Sequence, residues 1–93
     1  MITVTLQACG PMRDYFPGPD QGLGLPDGAT LGDLLDRIDQ DHGERLAGTV
    51  WNRRARRFRG PVVIKAGDRI VQDRAAPLRD GQVVSLIKAV VGG

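Results

Sequence analysis

Few side chains in this sequence could do chemistry, which narrows the choices at once. There is one cysteine, Cys9, and one histidine, His42. That leaves no intramolecular disulfide, no cysteine-built metal cluster and little basis for a histidine-rich one. No base stands near Cys9 in the sequence, so it is expected to act as a small buried apolar residue. His42 is expected at a helix C-terminus, against the last carbonyls, and Trp51 is expected to be a packing residue. Two stretches stand out. Arg53-Arg54-Ala55-Arg56-Arg57-Phe58-Arg59 carries five arginines and no acid. It could track phosphates, contact an acidic partner or form a solvated hairpin turn. The rest of the chain is acidic or neutral, so the nucleic-acid reading is the weakest of the three. The second stretch is the terminal pair Gly92-Gly93. At average glycine usage of about 7% such a pair arises by chance in roughly 0.5% of chains. By itself it says little.

The bulk properties set the frame for these residues. A chain of 93 residues makes one domain, near the lower end of what folds without a staple. A hydrophobic fraction of 41% supplies one modest core. No apolar run approaches the roughly 20 residues of a membrane helix. Met1 to Cys9 lacks the basic start and apolar block of a signal peptide, so a cytoplasmic protein is expected. The net charge of +2 hides an asymmetry. Asp27, Asp33, Asp36, Asp39, Asp41 and Glu44 make the middle acidic, and the arginine stretch follows directly. Such a pattern predicts a partner of some kind.

The positioning elements follow from periodicity. Ile2, Val4, Leu6 and Ala8 alternate with Thr3, Thr5 and Gln7, the pattern of a half-buried strand. Residues 10–22 are crowded with Gly and Pro and predict a loop, with one turn of helix around Arg13 to Phe16. Leu23 and Leu25 predict a short second strand, in a hairpin with the first and closed by Pro26-Asp27-Gly28. Thr30 with Asp33 three residues on forms a short capping box. Leu31, Leu34, Leu35 and Ile38 then lie on one helical stripe, and Gly43 is the expected stop. Strand texture returns at Thr49-Val50-Trp51, at Pro61 to Lys65 and at Arg69-Ile70-Val71. Arg79-Asp80-Gly81 predicts a turn, and Gln82 to Val91 the longest strand. One helix cannot cover both faces of a four- or five-stranded sheet, so an α+β domain with one face left to solvent or a partner is expected. On the last strand Val84 and Leu86 should face the helix. Val83, Ser85, Ile87 and Ala89 should face outward, an apolar stripe suited to docking.

Two segments carry a family resemblance. One is Pro77-Leu78-Arg79-Asp80-Gly81-Gln82-Val83-Val84-Ser85-Leu86 running to Ala89-Val90-Val91-Gly92-Gly93. The other is Leu25-Pro26-Asp27-Gly28-Ala29-Thr30-Leu31-Gly32-Asp33-Leu34-Leu35. Together they resemble the molybdopterin-synthase small subunit and thiamine-thiazole sulfur-carrier superfamily. Leu46 to Ile64 and the Ala89-Val90-Val91-Gly92-Gly93 ending look closest to the cysteine-synthase-type carriers. Lys65-Ala66-Gly67 in place of an Asn-Gly turn, Gln82 after the Asp-Gly and Lys88 in place of a proline depart from the usual pattern and weaken an assignment to the molybdopterin branch.

The resemblance implies a ubiquitin-like β-grasp fold with a four- to five-stranded mixed sheet and one main helix. It implies a single domain over residues 1–93 with a flexible tail at about 89–93. It also implies a carrier, not an enzyme, with no cofactor bound. An E1-like adenylyltransferase would use ATP to activate the carboxylate of Gly93. A persulfide enzyme or sulfide would convert it to a thiocarboxylate, and a biosynthetic enzyme would accept the sulfur. The tail must then lie extended in another protein's active site, where glycines offer no Cβ to clash. Residues Val83, Ser85, Ile87, Ala89, Val90 and Val91 would dock to partners, and Arg53, Arg54, Arg56, Arg57 and Arg59 are a candidate basic contact. Two other functions stay open. One is a ubiquitin-like modifier joined to lysines through Gly93, the other a basic β-grasp module that binds RNA or protein.

Overall fold

The computed structural model of the chain describes residues 1–16, 18, 20–46, 48–59 and 62–88. The alternating N-terminus forms strand β1 (Ile2–Cys9), and a 3-10 helix follows at Gly10–Tyr15. Strand β2 (Asp20–Leu25) pairs antiparallel with β1, Leu23 opposite Val4 and Asp20 opposite Gln7. It starts inside the Gly/Pro stretch expected to be loop. The register of β1 extends it there, although Asp20, Gln21 and Gly22 have no strand signature of their own.

Helix α1 (Leu31–His42) begins with the predicted capping box. Thr30 Oγ1 accepts from the Asp33 N–H at 3.4 Å, and the Asp33 carboxylate accepts from the Thr30 N–H at 2.8 Å. Two further N–H groups of the first turn donate to the chain crossing at residues 74–76: Leu31 to the Ala76 carbonyl and Gly32 to the Arg74 carbonyl, both at 2.8 Å. The helix N-terminus is thereby satisfied internally. Leu31, Leu34, Leu35 and Ile38 are all buried, as their spacing requires. Gly43 caps α1 with an ordinary helical φ of −53°. Its need for glycine is spatial, because a Cβ there would stand 2.5 Å from the Asp39 carbonyl oxygen.

After α1 come β3 (Trp51–Asn52) and β4 (Arg57–Phe58), a two-stranded ribbon. Then come β5 (Val62–Ala66), β6 (Arg69–Ile70) and β7 (Val83–Lys88). The main sheet has five strands in the order β2-β1-β7-β5-β6. It is mixed: β7 runs parallel to β1, and the other pairings are antiparallel. Among the described residues β1 is the longest strand, longer than the last one, whose residues 89–91 lie outside them. The core between sheet and helix contains Val4, Leu6, Val84 and Leu86 from the two central strands, together with Trp51 and the α1 stripe.

The Asp80-Gly81 turn that marks the sequence has a structural task. Gly81 takes a φ of +79°, open to glycine without strain. Its N–H donates to the Thr3 carbonyl at 2.7 Å, and the Asp80 carboxylate accepts the Thr3 N–H at 2.8 Å. The turn thus ties the entry of β7 to the start of β1 and sets the register of the central parallel pair.

Candidate functional site

Strand β7 carries the residues expected to dock. Its alternation is as predicted: Val84 and Leu86 are fully buried, Ser85 is half-buried, and Val83 and Ile87 are exposed at 41% and 36%. The register sets Ile87 beside Cys9 of β1 and Val63 of β5, and Ser85 beside Gln7 and Lys65. Ser85 Oγ donates to Gln7 Oε1 at 3.1 Å. Ile70 of β6, paired with Lys65, extends the same face and is 64% exposed. The open face therefore carries apolar Val83, Ile87 and Ile70, interrupted by Gln7, Ser85 and Lys65. Cys9 lies half-buried on this face, not inside the core as expected, because it takes the outward phase of β1. Described β7 ends at Lys88, opposite Val62. Ala89, Val90, Val91, Gly92 and Gly93 lie outside the described residues.

The arginine stretch sits on the opposite side of the sheet, its five arginines exposed and two of them paired to acids of α1. Arg53, Arg54, Ala55 and Arg56 form the loop of the β3–β4 ribbon, pinned by the Ala55 N–H donating to Asn52 Oδ1 at 3.0 Å. Arg56 adopts a left-handed φ of 52°. Arg53 pairs with Asp39 at 3.3 Å and Arg56 with Asp36 at 3.7 Å. Arg74, which the sequence did not single out, donates to Asp36 at 2.9 Å and to the Arg56 carbonyl at 2.7 Å. The acidic middle and the basic stretch thus meet at two of the five arginines, Arg53 and Arg56. Among the described residues Arg54, Arg57 and Arg59 form no ion pair.

Two buried polar groups complete this side. The Trp51 indole N–H donates to Asp39 Oδ1 at 2.9 Å. That bond and Arg53 hold the Asp39 carboxyl below the usual carboxylate range, against the opposing effect of burial. His42 does not rest on the helix carbonyls. It packs edge-on against Phe16 with ring centres 5.0 Å apart, and its Nε2 meets Gln21 Oε1 at 3.1 Å. Burial pushes its imidazole below the ordinary value, with Asp41 opposing and Arg45 adding to the shift. Neither contact was legible, since both partners are remote in sequence. No group of His, Cys, Asp and Glu able to hold a metal ion occurs among the described residues. No helix there is long and apolar enough to cross a membrane.

Comparison with known proteins places this geometry. The family model described as ThiS family matches residues 10–93. Among solved structures, small archaeal modifier protein 1 from Haloferax volcanii superposes with a TM-score of 0.80 at 15% identity, covering 98% of this chain and 99% of that one. A molybdopterin converting factor subunit 1 from Pyrococcus furiosus gives 0.74 at 22% identity, covering 97% and 100%. The complex of subunits 1 and 2 of the molybdopterin-converting factor from Helicobacter pylori contains a chain matching at 0.65 and 21%, covering 99% and 100%. At these identities the structures show the shared fold. Curated relatives of another kind also match in part. Deoxyuridine 5'-triphosphate nucleotidohydrolase of Haemophilus ducreyi is 41% identical over 54 residues, which cover 58% of this chain and 33% of the relative. The enzyme of that name from Glaesserella parasuis is 36% identical over 64 residues, covering 69% and 40%. The chain thus spans between a third and two fifths of the length of these relatives. The mixed sheet with one α-helix among the described residues and the structural neighbours agree on a ubiquitin-like β-grasp fold, and the family match shows that the chain belongs to the ThiS family.

Proposed function

We propose that the chain is a sulfur carrier whose working group is the carboxylate of Gly93. The observation that carries this reading is that the family match runs through Gly92 and Gly93, directly beyond a strand whose outward residues are apolar. An E1-like enzyme transfers AMP from ATP to the Gly93 carboxylate and releases pyrophosphate. Hydrosulfide then attacks the acyl carbon and expels AMP, leaving a thiocarboxylate. With a persulfide donor the first product is an acyl disulfide, and a second thiol must reduce it to free the thiocarboxylate. The carrier supplies no acid, base or cofactor to these steps. It supplies a tail without Cβ atoms and a docking face, with Val83, Ser85 and Ile87 on β7 continued by Ala89, Val90 and Val91. The sulfur would pass to a separate synthase making cysteine, molybdopterin, thiamine thiazole or another thio-metabolite.

The likeness to small archaeal modifier protein 1 favours a second reading, conjugation of Gly93 to lysines of other proteins. Intact-mass analysis after incubation with host extract and ATP separates the two. Exchange of one oxygen for sulfur, localised to Gly93 by fragmentation, supports the carrier, whereas isopeptide-linked adducts support the modifier. An unmodified tail, under conditions that charge an established carrier, would sink both. Deoxyuridine triphosphate hydrolysis, suggested by the partial relatives, is tested by adding that nucleotide to the purified chain. The carrier reading expects it to stay intact.

A further inference from the structure

A cleft of about 820 Å³ opens between α1, the β3–β4 ribbon, β5 and residues 70–74. It opens at the β5–β6 edge of the sheet, where it shares Ile70 with the open face, and the carrier chemistry makes no use of it. Its apolar part is built from Leu31 and Leu35 of α1, Phe58 of β4 and Ile64 of β5, all buried within the fold. Its charged lining is unbalanced. Arg74 is occupied by Asp36. Among the described residues Asp73 is the only acid lining the cleft, and it already accepts the Ala75 N–H at 2.9 Å. Arg57 and Arg59 face this space with no acid paired to them among the described residues.

We propose that this cleft binds a small organic anion with a flat apolar body, its acidic group held by Arg57 and Arg59 and its body laid against Val62, Val71 and Ile70. Three arguments converge. The volume falls within the roughly 300–1,000 Å³ typical of small-molecule sites. The half-buried Val62, Val63 and Val71 and the exposed Ile70 leave apolar surface in the cleft that a flat ligand would cover. Planar guanidiniums bind carboxylate, sulfonate and phosphate oxygens through paired N–H groups. The arginines excess to the internal ion pairs thereby gain a role. The site is independent of Gly93, so its failure would leave the carrier reading intact.

Anilinonaphthalene sulfonate, an aromatic body bearing one sulfonate, is a suitable probe, with phenylnaphthylamine as the uncharged counterpart. Methyl NMR titration should show saturable binding at one site, with shifts confined to Leu31, Leu35, Val62, Val63, Ile64, Ile70 and Val71. Trp51, whose ring lies 4.7 Å from that of Phe58, should report the same event by fluorescence. Arg57→Gln combined with Arg59→Gln should weaken the sulfonate roughly tenfold, as expected for two partly solvated ion pairs, and leave the neutral compound unchanged. Arg54→Gln removes a charge from the same ribbon outside the cleft and should alter affinity by less than about twofold. Shifts centred on Val83 and Ile87 would overturn the proposal. So would equal weakening by Arg54→Gln, or sulfonate binding that survives the double substitution.

Discussion

The two faces of the sheet use their polar and apolar residues in opposite ways. On the open face, β7 presents Val83 and Ile87 to solvent with no covering element among the described residues. On the helix face the most charged stretch of the chain is partly paired within the fold, Arg53 to Asp39 and Arg56 to Asp36, with Arg74 clasping Asp36 from the other side. Exposed apolar groups and satisfied charges reverse the usual expectation that charge marks contact surfaces. A cationic run is informative only after its internal partners are subtracted, and an apolar alternation only after its covered phase is known. By that measure the open face is the stronger candidate for protein docking.

Neighbouring residues on β7 give the largest contrast. Leu86→Ala empties a fully buried position and should cost about 2–5 kcal/mol of stability. Ile87→Ala should change stability by no more than about 0.5 kcal/mol yet slow charging of the tail by the activating enzyme. Urea denaturation and a charging assay on both variants check this, and equal stability losses would erase the distinction between the two phases of the strand.

The next contrast lies within the helix–ribbon contact. Asp39→Ala strands the indole N–H of Trp51, which is only 1% exposed, and should cost about 1–3 kcal/mol. Arg53→Ala removes a 55% exposed partner and should cost less than about 1 kcal/mol. Because the Asp39 carboxyl is held below its ordinary value of 3.8, its contribution is present above that pH and fades as the folded-state value is approached from above. Asp39→Asn should therefore flatten acid unfolding below about pH 4.

A smaller effect is expected at His42. Its folded pKa lies below the ordinary 6.5, so the unfolded chain binds the proton more readily. The stability associated with the neutral ring is complete above that value and declines as pH falls through it. His42→Gln should remove this slope in thermal melts recorded from about pH 7.5 to pH 5.5. Arg54→Ala should do least, shifting stability by no more than about 0.5 kcal/mol. A larger loss would show that the loop has internal partners beyond Asp36 and Asp39.

What the sequence disclosed depended on how local the signal was. Period-two alternation at 83–87 and at 2–8, the Thr30–Asp33 box and the Asp80-Gly81 turn all act over a few residues, and all are where they were expected. The start of β2 at Asp20 was hidden because pairing with β1, not the propensity of Gln21 or Gly22, makes it a strand. The ribbon at 51–58 was legible only as a short extended piece followed by charge. Its bonds to Asp36, Asp39 and Arg74 span 12 to 20 positions, beyond any periodicity argument. The contact of His42 with Phe16 and Gln21, and the cleft beside Phe58, likewise exist only once the helix has been laid across the sheet. Ala89 to Gly93 were expected to carry the chemistry through the family pattern alone, and they lie outside the described residues.

The parallel pairing of β1 with β7 also bears on how the molecule comes into being. The two strands at the centre of the sheet are joined at Thr5 and Val83, close to opposite ends of the polypeptide. Contacts so distant along the chain make folding slow compared with helical proteins of similar size, because a long loop must close before the pair is rewarded. During synthesis β1 is made before β7 and must wait, its edge unpaired on one side, until that strand has followed. A nascent chain interrupted before Val83 leaves β1 and β5 without the strand that joins them, so the sheet closes only when β7 has been made.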